Sequence, residues 1–428
     1  MSAPEHFDVA VVGGGFAGIA AARTAARLGA RTLLVERAAE LGGQATQALV
    51  HTICGLYHAA DADAPRHAHP GLPRALAERM RRAGAAGDPE RAGRVFFLPT
   101  EPARLAAELA ALCAAERRLA VRTGRALVTA AADAAGFALG LEAPGGAEAA
   151  RARIAVDASG DAALAAALGA EAQAGAPDEL QHPSYILRLE GVATDALQGF
   201  ARLQLSVAVA GAARSGTLPA HADAVVVRPA LAPGAVYVTL GVPKPAGAAY
   251  DPLDAAQRRV LEARARCAAE AVVAHLRAER PGFRAARVAA WPARLGVRES
   301  RRLCGLVELT RDDVLEGRMR PDQVAVSTWP IERWREHRRA HFEHPAGPCS
   351  IPLAALISRS HPRLAAAGRC MPGSAEALAA LRVLGTALAT GEAAGAAAAR
   401  AADAGVTLAV LAADTVREAA LAAAEGLS

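Results

Sequence analysis

The stretch Val9-Ala-Val-Val-Gly13-Gly14-Gly15-Phe16-Ala17-Gly18 constrains this chain more than any other, because a glycine turn follows an apolar run directly and opens a helical one. A second apolar run, Thr32 to Val35, ends on Glu36. This order predicts a parallel βαβ unit that binds a dinucleotide. Gly13 permits the tight turn, Gly15 lets the backbone approach a pyrophosphate, and Gly18 lets helix and strand pack. The helix N-terminus offers free N–H groups to the phosphates, and Glu36 can accept both hydroxyls of an adenosine ribose. An acid at 36 argues against a 2′-phosphate; the glycines alone leave FAD and NAD both open.

At 428 residues the chain exceeds what one core usually supports, so two domains are expected. The hydrophobic share of 53% is inflated by alanine while aromatics are only 4%, which favours helices packed closely on sheets. The net charge of +5 is spread as arginines among 43 acidic residues, so no nucleic-acid partner is expected. The first apolar run breaks at Gly13, too early for a signal peptide, and Arg400, Asp403 and Asp414 interrupt the alanine-rich tail. We expect no membrane span and a cytoplasmic protein. Six cysteines without a CxxC pair point to reduced thiols. His337, His341 and His344 would share one helical face, yet no carboxylate completes a set, and no metal site is expected.

Further along, a loop-rich stretch covers 42–71, and helices are expected near Pro73 to Ala83 and over Glu101 to Glu116. Val121 to Thr129, Phe137 to Glu142 and Ala152 to Val156 read as successive strands of a meander. Ser184 to Glu190, Ala224 to Val227 and Ala235 to Leu240 read as strands, and Asp254 to Arg277 as a long helix. The text returns to a strand at Leu364 to Ala367 and long helices over Ala375 to Ala402, with a bend near Gly385 and Gly391. The expected architecture is α/β: a Rossmann-like cofactor domain with a parallel sheet and β-meander (1–170 and 345–428), plus an inserted α+β substrate domain (171–344).

Other motifs separate the two dinucleotides. Leu41-Gly42-Gly43-Gln44-Ala45-Thr46, Val156-Asp157-Ala158-Ser159-Gly160-Asp161 and Ala367-Gly368-Arg369-Cys370 with Leu381-Arg382-Val383-Leu384-Gly385 resemble the three FAD motifs of the glutathione-reductase-like superfamily. Arg298-Glu299-Ser300-Arg301-Arg302 and Trp329-Pro330-Ile331-Glu332 resemble segments of its FAD-dependent oxidoreductase family. The resemblance implies FAD, held by Gly13, Gly15, Phe16, Ala17, Gly18, Glu36, Arg37, Gly42, Gly43, Gln44, Ala45, Thr46, Val128, Ala158, Ser159, Gly160, Asp161, Gly368, Arg369, Arg382 and Val383. One departure stands out: Arg369 occupies the place where many relatives carry an aspartate for the ribityl hydroxyls.

The segment after Gly43 then passes the flavin ring. There His51 is a candidate general base or covalent anchor, Cys54 a candidate thiolate, and Tyr57 an orienter of a substrate oxygen. Arg298 suits a substrate carboxylate or the charge on the reduced flavin's N1–C2=O. Packing around the ring without chemistry is the competing reading for each. The implied function is oxidation or dehydrogenation of a small organic substrate by hydride transfer to flavin N5. The alternatives are a monooxygenase needing an external reductant and a non-catalytic FAD-binding module. No second GxGxxG follows a strand, so the electron donor or acceptor is unnamed, and an oligomer is left open.

Overall fold

The computed structural model describes residues 4–59, 64–245 and 249–427; part of the loop-rich stretch 42–71 therefore lies outside the described residues. Its main sheet has 7 strands. Glu5–Val12 pairs in parallel with Thr32–Glu36 on one side and Gly146–Asp157 on the other. Leu119–Thr123 extends the sheet beyond Thr32–Glu36. All these strands are parallel, so Val12, Glu36 and Asp157 end together, at the edge where open α/β sheets bind ligands.

Gly146–Asp157 serves two partners along one edge. Its first half pairs antiparallel with Gly136–Ala143, which pairs with Ala126–Asp133 to form the meander; its last residues pair in parallel with Leu364–Ala366. The stretch from Val121 to Thr129, expected as one strand, is two. Gly124 takes a positive φ of 64°, so Leu119–Thr123 stays in the parallel layer and Ala126–Asp133 leaves for the meander.

Behind the sheet, Phe16–Arg27 packs against Leu384–Ala404, a helix buried along nearly its whole length. A methyl on Gly391 or Gly395 would overlap the carbonyl of Ala17 or Ala21, so the two backbones are in contact. The alanine excess is what permits that approach. The expected bend near Gly385 and Gly391 falls instead at Arg382 and Val383, between Ala375–Leu381 and Leu384–Ala404, and Gly391 is continuous helix. Among the described residues no single helix is long and apolar enough to cross a membrane; this bent pair passes on length and composition, and all but its last turn is largely buried in the core.

A second sheet orders Val225–Pro229, Ala235–Gly241, Ser184–Glu190 and Arg287–Ala290. Side chains alternate across it: Leu187, Leu189, Val236 and Val238 face the helices Ala201–Arg214 and Ala255–Glu279, whereas Ile186 and Tyr237 face Leu49. Asp254 caps the longer helix through Ala256 N at 2.7 Å and Gln257 N at 3.2 Å. Of the segment 171–344, Leu309, Val314, Ala325 and Ile331 belong to the core of the fingerprint helix, and the second core runs from Leu180 to Leu295. His337, His341 and His344 are not on a helix. Ile331–Glu336 and Arg339–Glu343 form a hairpin, and His337 pairs with Asp223 at 2.8 Å.

Candidate active site

One cavity of about 500 Å³ runs from the carboxyl edge of the main sheet to the inner face of the second sheet. It begins at the fingerprint. Gly13 sits at φ 107°, and a side chain there would run into the Ala158 carbonyl. Glu36 is buried, accepting from Gly14 N at 2.6 Å and Ala38 N at 2.8 Å, so its carboxylate is aimed by the turn it follows. Gly15 differs from its neighbours. A methyl on it would meet nothing nearer than the Gly43 Cα at 3.8 Å, so the protein's own packing does not require a glycine. The empty space lies beside first-turn amides that no helical carbonyl can serve, an arrangement that suits a pyrophosphate.

The D-A-S-G-D motif closes the other wall. Asp157 accepts from Ser159 Oγ at 2.6 Å and Ala165 N at 2.9 Å and is structural, holding the turn; burial raises its pKa. Asp161 is also buried, which would raise its pKa, but Arg369 at 2.6 Å, Ser300 at 2.8 Å and Arg37 hold it at about 2. Arg301 Nε adds a bond to the Asp161 carbonyl at 3.2 Å. Thus the R-E-S-R-R segment is fastened to the second motif, and Arg369 neutralises an acid within the site.

At the far end a chamber opens around His51, Cys54, Arg228, Arg298, Glu332 and Arg382. The His51 ring stacks on Tyr237 at 4.2 Å and 8°, and its Nδ1 lies 3.2 Å from the Leu49 carbonyl. Its Nε2 is buried without a partner. Burial drives its pKa down to about 4, so the imidazole does not titrate near neutrality as its residue type suggests. Donation from Nδ1 to Leu49 leaves the Nε2 lone pair free. Cys54 reaches the chamber as a thiol, because burial and then Glu332 push its pKa up to about 12. Glu332 accepts from both Trp334 Nε1 at 2.6 Å and Trp329 Nε1 at 2.9 Å.

Arg298 lies over the Trp334 ring at 4.2 Å and donates to the His182 carbonyl. Burial and then Arg382 lower its pKa to about 9. Arg382 donates to the Glu332 carbonyl at 3.1 Å and leaves its Nε buried and unpaired.

Most of the expected positions line this cavity, from Gly13, Gly15, Phe16 and Ala17 to Arg382 and Val383. Gly18, Ala45 and Thr46 support it from behind. Gly18 packs on the Gly13 carbonyl, Ala45 is fully buried, and Thr46 donates to the Leu41 carbonyl at 2.8 Å. Val128 requires correction: its side chain is 59% exposed and off the cavity, because a bulge between Leu127 and Thr129 turns it outward, and Ala126 and Leu127 line the cavity instead. Tyr57 is also displaced from its expected role. It packs against His67 at 4.8 Å, away from the chamber, and burial raises its pKa to about 12.

Three lining arginines, Arg125, Arg228 and Arg294, carry no signal in the sequence motifs, and Arg125 is taken up by Glu148 at 2.8 Å. Arg294, in the loop after the second sheet, leaves its Nε buried and unpaired, with Arg37, Glu36, Arg369 and Asp161 as its charged surroundings; burial and then Arg37 lower its pKa to about 10. Arg228 sits on the edge strand Val225–Pro229, where Val225 and Val227 face the second core and Arg228 alternates to the opposite side. Such a position reads as solvent-facing until the cavity is seen.

A parallel sheet with a glycine cradle at its carboxyl edge and a second sheet walling the cavity defines an α/β dinucleotide-binding protein. Residues 8–419 match the family described as FAD dependent oxidoreductase, and the chain belongs to that family. It is an FAD-dependent enzyme, and the glycine turn, the buried carboxylate of Glu36 and the unpaired Arg294 fit that cofactor. The chain is similar over 97% of its length to a geranylgeranyl bacteriochlorophyll reductase-like protein from Thermoplasma acidophilum, covering 91% of it at 14% identity and a TM-score of 0.46. It is likewise similar to p-nitrophenol 4-monooxygenase PnpA from Pseudomonas putida DLL-E4, with 97% and 88% covered, 12% identity and a TM-score of 0.49. Likenesses this distant bear on neither substrate nor reaction.

Proposed function

We propose that this enzyme oxidises a small organic molecule held in the chamber between the two sheets. The observation that carries the reading is His51, which lines a cavity continuous with the glycine cradle and whose Nε2, though itself buried, has no protein partner. FAD, when bound along Gly13, Gly15, Glu36, Gly43 and Asp161, supplies a two-electron acceptor at flavin N5. The chain's own residues do the rest. His51, fixed by Tyr237 and Leu49, offers its lone pair to a substrate O–H or N–H and takes the proton as the substrate is oxidised. Arg298, stacked on Trp334, lines the same cavity. The three FAD motifs and the meander support a place in the glutathione-reductase-like superfamily. The expected boundary at 345 moves back: we assign 1–170 with about 300–428 to the cofactor side, because Leu303, Leu309, Val314, Ala325 and Ile331 pack in its cores, and the second core from Leu180 to Leu295 to the substrate side.

Anaerobic mixing with a panel of alcohols, amines and hydroxy acids tests the proposal through the visible flavin band. Bleaching by a donor supports it, and the His51→Asn variant then keeps its flavin but is reduced about 10²-fold more slowly, the scale of lost acid–base assistance. Bleaching only by a nicotinamide supports the monooxygenase alternative. No bleaching by any reductant leaves the non-catalytic module.

A further inference from the structure

The chamber is unusual in its charge. Arg228, Arg298 and Arg382 line it, against Glu332 as its one carboxyl group, and both oxygens of that group are already engaged by indole N–H donors. The three arginines differ in how far they are satisfied. Arg298 spends its guanidinium on the His182 carbonyl and the Trp334 face, and Arg382 reaches the Glu332 backbone. Arg228 has no hydrogen bond or ion pair among the described residues; it lies over the face of Phe97 at 5.3 Å, with Glu90 and Glu332 near enough to act on its charge without bonding it. It lies within electrostatic reach of both His51 and Cys54.

A half-buried guanidinium is not left without an acceptor at no cost. With no protein acceptor, its N–H donors are left to water or to an anion that enters the cavity. Burial accordingly lowers the affinity of Arg228 for its proton, and Arg202 adds to that. The exposure that remains to it is toward the cavity, on the same side as Val226 and opposite Val225 and Val227. The planar fork with its paired donors matches a carboxylate.

We propose that the enzyme recognises its substrate as a small organic carboxylate, whose carboxylate is bound by Arg228 beside His51. This rests on the chamber being the substrate site. The acceptor that Arg228 lacks in the protein is supplied by the substrate, so the arginine selects for an anion and sets which end of the molecule lies next to the imidazole. Arg298 and Arg382 add a positive field and keep a second carboxyl group from being rejected.

The test uses the FAD-bound protein and a readout that does not depend on turnover. Acetate, succinate and benzoate are each titrated against the corresponding amide, following perturbation of the visible flavin spectrum. At least one carboxylate is expected to bind about tenfold or more tightly than its amide, the scale of a charge-assisted pair. Its binding should weaken with added salt. Arg228→Met should lose that tenfold while FAD content and melting temperature are unchanged, and Arg228→Lys should recover part of it. Amides binding as well as carboxylates, or Arg228→Met binding them as wild type does, overturns the proposal. So does an Arg228→Met variant whose flavin midpoint potential falls while carboxylate affinity stays, because the arginine then serves the flavin's own charge. Should a neutral donor bleach the flavin while no carboxylate binds, the oxidoreductase reading stands and only the anion specificity fails.

Discussion

The two ends of the cavity are built by different means. At the pyrophosphate end the contacts come from backbone: consecutive glycines, first-turn amides, and an acid aimed by the turn it follows. At the chamber end they come from long side chains delivered by distant segments, with His51 from the loop after the second strand, Arg228 from an edge strand, and Glu332 and Arg382 from still later elements. Backbone sites demand particular residues in a particular order. Side-chain sites demand only that some residue arrive, and they are free to differ between enzymes with one cradle.

The sharpest way to break this contrast is a pair of glycine substitutions. Gly15→Val should leave a folded protein that retains no FAD, because its side chain enters space the ligand needs rather than space the protein occupies. Gly18→Ala should instead disrupt folding, since its methyl would overlap the Gly13 carbonyl. Circular dichroism and flavin absorbance separate the two outcomes; equal loss of fold in both would show that Gly15 is an ordinary packing glycine.

Glu36→Ala should have the next largest effect. It removes the ribose acceptor and strands the amides of Gly14 and Ala38, weakening FAD binding by about 2 kcal/mol, the scale of lost charge-assisted hydrogen bonds. Titration of flavin-free protein measures this. An unchanged affinity would place the adenosine elsewhere.

At neutral pH the smallest effect belongs to the chamber, and it grows only as the pH falls. The folded-state pKa of His51 is depressed from 6.5 to about 4, so its contribution to stability is present above pH 6.5 and is lost as pH falls toward 4. Flavin-free wild type should therefore lose about 2–3 kcal/mol across that window that His51→Asn does not lose. Parallel melting curves for both proteins between those pH values would instead mean that the imidazole is solvated.

What was legible in the sequence follows the same division. Strand, turn, helix and ribose acid were all readable from Val9 to Glu36, because local geometry there admits few alternatives. The meander was readable only in outline. Nothing in Ala126-Leu-Val-Thr129 announces the bulge that exchanges Val128 for its neighbours, and the turn at Gly124 was overrun because the residues on both sides are apolar. His51 and Cys54 were reached by counting past the second glycine pair, but their ionisation was not, since burial beneath Tyr237 depends on a strand almost two hundred residues away. Arg228 and Arg294 carry no motif. Alternation against Val225 and Val227 was the one available signal for Arg228, and it becomes informative only when the opposite face is known to be a cavity.

The contact between the two alanine-rich helices gives the cradle a mechanical property. Ala17 lines the cavity, and its carbonyl is also the surface on which Gly391 rests. The start of the fingerprint helix thus has no slack on its inner side, and any gain of a methyl group along that seam must be transmitted as a shift of the amides that face the ligand. Variation should therefore be suppressed deep in the C-terminal helix, far from any flavin atom, and should accumulate on the arginine-bearing strands opposite, where a change of residue alters what is bound without moving what binds it.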